Sequence, residues 1–111
     1  MKIKSETLLQ EVVEATVRAA DPERIVLFGS RARGEARADS DLDLLVVEGE
    51  PFSPQRSRQG ELKRIRRALW RFPVPIDVLV YSRDEVDEWR NSPNHVIGRS
   101  LREGVTLYER R

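Results

Sequence analysis

Three acids and one glycine–serine turn hold most of the chemistry this sequence can do. Asp41 and Asp43 stand one residue apart in "DLDLLVV", at the head of the apolar run Leu44 to Val47. Side chains alternate along a strand, so the two carboxylates point to one side, about 6–7 Å apart along the backbone. Burying ionised carboxylates is costly unless a partner compensates, and a divalent cation is such a partner. Hard oxygen donors select magnesium or manganese. A third acid, Asp77 in "VPIDVLVY", interrupts a run of Val, Ile and Leu and is the only acid between Glu61 and Asp84. By alternation it shares a side with Leu79 and Tyr81. If its strand pairs beside Asp41 to Val47, three carboxylates meet. That is the protein half of a two-metal site, which clamps the attacking and leaving oxygens of a phosphoryl transfer.

Gly29-Ser30 supplies a complementary half. It closes the short apolar strand "RIVLF", and glycine there lets backbone approach a ligand closely. A helix starting just after it presents unpaired N–H groups and a positive dipole end to an anion. Ser30 adds a hydroxyl, and Arg31, Arg33 and Arg37 lie within reach of whatever binds. Phosphate and metal sites on one sheet edge imply a metal-bound nucleoside triphosphate. Each feature also has a plainer reading. An Asp-x-Asp can be turn chemistry, Asp77 a salt-bridged strand acid, and Arg31 and Arg33 a charged coat on a short helix. The combination favours the metal site.

The elements that must position these groups follow from periodicity. "SETLLQEVVEATVRAA" places Leu9, Val13 and Val17 at helical spacing and ends at Asp21-Pro22. Ile25 to Phe28 reads as a strand, "RARGEA" as a short helix, "RADS" as a turn and "DLDLLVV" as a central strand covered on both faces. Residues 48–58 hold two prolines, a glycine and two serines and read as a mobile loop. A basic helix follows in "GELKRIRRALWRF", with Leu62, Ile65, Leu69 and Phe72 on its apolar stripe. "VPIDVLVY" is the third strand. Ser82 and Glu85 form a capping box for the next helix, and a second short helix runs from about Asn94 to a Gly104 cap. "VTLYE" is the last strand. The order α-β-α-β-α-β-α-α-β indicates an α/β or α+β domain built on one sheet.

Composition bounds the rest. The 111 residues are 39% hydrophobic and 35% charged, the size and make-up of one globular domain spanning 1–111. No apolar run approaches the roughly 20 residues of a membrane span. The start of the chain lacks an apolar signal core, and cysteine is absent, so cytoplasm is the expected compartment. A net charge of +1 argues against a dedicated polyanion binder. The cluster Arg56, Arg58, Lys63, Arg64, Arg66, Arg67 and Arg71 contains one acid, Glu61. A solvated face or an acidic partner is favoured there over nucleic acid. His95 reads as a capping or packing residue, and Trp70 and Trp89 as core or interface residues.

Gly29-Ser30, ten residues, then Asp41-Leu42-Asp43, with Asp77 on a later strand, resembles the DNA polymerase β-like nucleotidyltransferase superfamily. More closely it is similar to the minimal nucleotidyltransferases, the MNT proteins partnered with a HEPN-domain protein. The resemblance spans roughly residues 21–108, including the terminal "REGVTLYE". It implies a single mixed sheet flanked by helices, two magnesium ions, and transfer of a nucleoside monophosphate from a triphosphate to a hydroxyl. Asp41 and Asp43 would hold the metals. Asp77 would complete the site as metal ligand or general base, and Gly29 and Ser30 would hold the triphosphate. Larger members carry an extra acceptor-binding domain; here the acceptor is expected to dock on the exposed active-site edge. The family's arrangement implies AMP transfer from ATP to a tyrosine of a HEPN-type toxin, with this chain as antitoxin in a hetero-oligomer. The alternatives are a non-catalytic antitoxin that works by occlusion, and transfer to RNA or, least favoured, to a small molecule.

Overall fold

The computed structural model describes residues 5–29, 32, 34 and 41–110, the side chains of residues 5 and 6 excepted. Helix α1 (Ser5–Ala20) leads into strand β1 (Arg24–Phe28), and β2 (Leu42–Glu48) is followed by α2 (Arg58–Leu69). Strand β3 (Ile76–Ser82), helices α3 (Arg83–Trp89) and α4 (Val96–Glu103), and strand β4 (Val105–Glu109) complete the chain. The sheet runs β3-β2-β1-β4. β1 is antiparallel to both β2 and β4, and β2 is parallel to β3, which makes the sheet mixed.

Alternation along the central strands sorts their side chains onto two covered faces. Ile25, Leu27, Leu42, Leu44, Val46, Val78 and Val80 meet Leu8, Val12 and Ala15 of α1 and Ile65 and Leu69 of α2. Val26, Leu45 and Val47 meet Val86 of α3 and Ile97 of α4. A strand buried on both faces needs a continuous apolar run, and Leu44 to Val47 is that run. Among the described residues no helix is long and apolar enough to cross a membrane.

The local signals act through specific groups. Asp21 ends α1 by adopting a left-handed conformation (φ 45°) while its N–H donates to Val17 O at 2.9 Å, a conformation Asp tolerates better than most residues. Ser57 caps α2 by accepting from Gly60 N at 3.0 Å, so that helix begins two residues earlier than its apolar stripe suggests. The capping box of Ser82 and Glu85 is complete.

The expected Gly104 cap of α4 is present, in an extended conformation (φ −85°). Glycine is needed there for space, since a Cβ would lie 2.3 Å from Ser100 O and 2.5 Å from Val26 Cγ1. The loop read as mobile is tied down. Ser53 and Arg56 exchange backbone hydrogen bonds, and the Arg56 guanidinium donates to Glu50 O, Pro51 O and Glu48 Oε1. Trp70 is 88% exposed at the end of α2, outside any core. Trp89 lies half outside, stacked on His95 with ring centroids 4.5 Å apart. The expected helix "RARGEA" and turn "RADS" fall outside the described residues except at positions 32 and 34.

Candidate active site

The parallel pairing of β2 with β3 sets Asp43 directly opposite Asp77. Neighbouring strands lie about 4.8 Å apart, so the two carboxylates stand side by side on the face that also carries Leu45 and Leu79. Like charges so placed destabilise a sheet. Asp41 immediately precedes β2 and is exposed, as is Asp77, while Asp43 is partly buried. The antiparallel pairing of β1 with β2 puts Phe28 opposite Asp43, which brings the following residue, Gly29, to the same place.

Gly29 has φ +77°, a conformation open to glycine and strained for residues with a side chain. A Cβ built there would fall 2.2 Å from Asp43 Oδ2, so the carboxylate occupies the space a side chain would take. The glycine read as a phosphate turn therefore has a second task, which is to make room for the acid. Ser30, Arg31, Arg33 and Arg37 lie outside the described residues.

Hard carboxylate oxygens in register on adjacent strands, with backbone rather than side chain against one of them, suit a magnesium-type cation. Asp41, Asp43 and Asp77 gather at one edge. As placed, no three His, Cys, Asp or Glu side chains among the described residues close into a metal-ligand set.

The basic cluster divides once folded. Arg58 pairs with Glu85 and donates to Val80 O at 2.8 Å, and Arg56 reaches Glu48 at 2.6 Å and Glu61 at 3.5 Å. Arg64 Nε lies 3.5 Å from Glu61. Lys63, Arg66, Arg67 and Arg71 carry no ion pair among the described residues. Glu48 and Glu61, both buried, form an acid pair at the far end of β2 from Asp43. Their only trace in the sequence is a charge at the end of a buried strand and a lone acid in a basic helix. His95 caps α4, with Nδ1 accepting from Ile97 N at 3.1 Å, and its ring lies against Trp89 and Tyr81.

A mixed sheet with paired acids at the N-terminal ends of two parallel strands, beside a glycine turn, defines a class of nucleotide-transferring domains. Residues 8–103 match the family model described as nucleotidyltransferase domain. The chain belongs to that family and is a nucleotidyltransferase. Solved structures agree on the fold. One is a chain described as a minimal nucleotidyltransferase, 29% identical, covering 95% of this chain and 97% of that one with a TM-score of 0.62. Another, described as a nucleotidyltransferase from Sulfolobus solfataricus, is 23% identical, covers 93% and 78%, and has a TM-score of 0.64. A third is a toxin–antitoxin structure with AMP-PNP, 17% identical, covering 93% and 74%, with a TM-score of 0.58. Among curated proteins there is no significant sequence match.

Proposed function

We propose that this chain, as one minimal nucleotidyltransferase domain, transfers AMP from ATP to a tyrosine hydroxyl of a HEPN-type toxin partner and so acts as a cytoplasmic antitoxin. The observation that carries the reading is the opposition of Asp43 and Asp77 across two parallel strands, with the Gly29 backbone against Asp43. The fold shared with a toxin–antitoxin structure holding AMP-PNP supports the nucleotide and the partner class.

In this reading Asp41, Asp43 and Asp77 hold two magnesium ions. Held by these carboxylates, the ions would supply charge neutralisation to the transferring phosphoryl group. The Gly29 and Ser30 backbone, with Arg31 and Arg33, holds the triphosphate. Asp77 orients the acceptor hydroxyl and takes its proton on a carboxylate oxygen, as general base. The acceptor oxygen bonds to the α-phosphorus while the bond to pyrophosphate breaks, and pyrophosphate leaves.

The test incubates the purified chain with α-labelled ATP, magnesium and a HEPN-type partner protein. Label should pass to the partner's tyrosine, and Asp41→Asn or Asp43→Asn should abolish it. Labelling that survives either change rules the mechanism out. Protection of cells by unlabelling variants as complete as by the wild type would favour occlusion, and label on RNA would redirect the acceptor.

A further inference from the structure

The free edge of the sheet at the start of β3 is where an apolar groove borders one of the candidate acids, Asp77. Pro75 O accepts from Leu42 N at 2.9 Å, so the odd-numbered residues of β3 aim their backbone groups at β2 and the even-numbered ones aim theirs outward. The far end of that outward row is capped. Val80 O accepts from Arg58 at 2.8 Å, and Ser82 N donates to Glu85 Oε1 at 2.9 Å. At the near end the N–H and C=O groups of Ile76 and Val78 have no partner among the described residues, because β3 is the outermost strand. Unpaired edge groups are a template for one more strand.

A groove of about 420 Å³ opens along this uncapped stretch, walled by Trp70, Phe72, Val74, Ile76 and Val78 and bordered by Asp77. Its size falls in the range of pockets that bind ligands, about 300–1,000 Å³. Trp70 is 88% exposed beside it, which is unusual for the largest apolar side chain. Arg66 also lines the groove, one helical turn before Trp70, and Lys63 and Arg67 fall on the same helix face by their three- and four-residue spacing.

We propose that this edge and groove are the docking surface for an extended, acidic segment of the acceptor protein, which pairs with β3 as an added strand and seats an apolar side chain against Trp70. The inference rests on the transfer reading above and names how the acceptor is held. Sheet order supplies the direction of approach. Gly29, on the triphosphate side, follows β1, Asp43 lies on β2 and Asp77 on β3. Attacking and leaving oxygens stand on opposite sides of phosphorus in an in-line transfer, so an acceptor opposite the triphosphate enters from the β3 edge. Charge selects the occupant further: Lys63, Arg66 and Arg67 carry no ion pair among the described residues, so acids on the incoming segment would neutralise them. Apolar walls and free backbone donors and acceptors suit a peptide strand. Single-stranded nucleic acid uses successive aromatic platforms, and this groove offers one exposed tryptophan.

The probe is a fluorescein-labelled peptide with one tyrosine, flanked on each side by a branched aliphatic residue and two acids. The full chain should bind it saturably in fluorescence anisotropy. Trp70→Ala and Arg66→Glu should each weaken binding about tenfold or more, about 1.4 kcal/mol, as should replacing the peptide's acids by lysine. In a Trp89→Phe background, Trp70 emission should shift to the blue as the peptide covers it. Absence of saturation up to about 1 mM overturns the proposal, as does equal binding by Trp70→Ala. A self-association that Trp70→Ala abolishes, or oligouridine binding that depends on Trp70 without peptide binding, assigns the groove elsewhere and also overturns it. MgATP binding, measured calorimetrically on the same protein, separates the two readings. MgATP uptake without peptide binding ends the docking surface alone, and peptide binding without MgATP uptake supports the surface while ending the transfer.

Discussion

Asp43 and Asp77 face each other across the only parallel strand pair of the described sheet, and nothing but backbone separates Asp43 from the turn at Gly29. Like charges directly opposite each other destabilise a sheet. The candidate acids are thus placed side by side against their mutual repulsion, and the cores on both faces of β2 hold the strands that carry them.

That opposition predicts opposite effects on stability and activity. Asp77→Asn should raise the metal-free melting temperature slightly, by about 1–4 °C if the relief is a few tenths of a kcal/mol. The same change should lower nucleotidyl transfer by about a hundredfold or more, as loss of a metal-ion contact removes several kcal/mol of transition-state stabilisation. Magnesium should raise the melting temperature of the wild type and not that of Asp43→Asn. Scanning calorimetry of the wild type and both variants, with and without magnesium, reads the stability effects.

Two glycines with nearly equal backbone angles separate strain from crowding. Gly29 (φ +77°) has Asp43 where a Cβ would go, and Gly34 (φ +73°) has nothing within 4 Å among the described residues. Gly34→Ala should cost only the left-handed penalty, about 1–2 kcal/mol. Gly29→Ala adds a displaced carboxylate to that cost, so it should lose more stability and nearly all transfer. Urea titration and the labelling assay measure the difference; equal effects of the two changes would contradict the contact.

The Glu48–Glu61 pair predicts a pH dependence. Burial first, then the neighbouring Glu61, pushes the Glu48 carboxyl up to about 7, against the pull of Arg56 and Arg64. Glu48 Oε2 and Glu61 Oε2 are buried without a hydrogen-bond donor, so a proton shared between the carboxyls satisfies them best. A folded-state pKa above the unfolded value means that the native protein binds more protons. Stability from this group is therefore greatest at low pH and falls as pH rises from about 4.5 to 7. Glu48→Gln should flatten the dependence over that window and be the more stable protein at pH near 8. Arg56→Met should be strongly destabilising at the same pH, by about 3–5 kcal/mol, because the buried Glu48 carboxylate loses its ion-pair partner and Glu61 keeps only Arg64.

His95 offers a test of what is not catalytic. Its ring caps α4 and stacks on Trp89. His95→Ala should cost about 1 kcal/mol of stability from the lost cap, with transfer activity retained in the labelling assay. Activity falling in parallel with that of Asp43→Asn would place His95 in the chemistry.

The acids and their turn were legible in sequence because chemistry of this kind needs particular atoms at particular spacings. Asp-x-Asp before an apolar run and glycine after a strand are local statements. The elements were legible for the same reason: α1, β2 and the capping box at Ser82 express periodicity and caps, which act within a few residues. The exposure of Trp70 and the crowding at Gly104 were not legible, because exposure and close approach depend on what lies across the fold. Trp70 sits past the last buried turn of α2, and Gly104 is pressed by Ser100 and Val26.

By itself, then, the sequence determined which residues carry charge, which strands are buried on both faces, and the fold class those patterns require. Only the tertiary structure decided that β3 lies parallel and in register with β2, which turns Asp77 from an isolated strand acid into the neighbour of Asp43. It also joined Glu48 to Glu61 and left the start of β3 open beside Trp70. The reason is physical: backbone propensity and periodicity act over a few residues, whereas strand order and register are settled by the burial of both sheet faces at once.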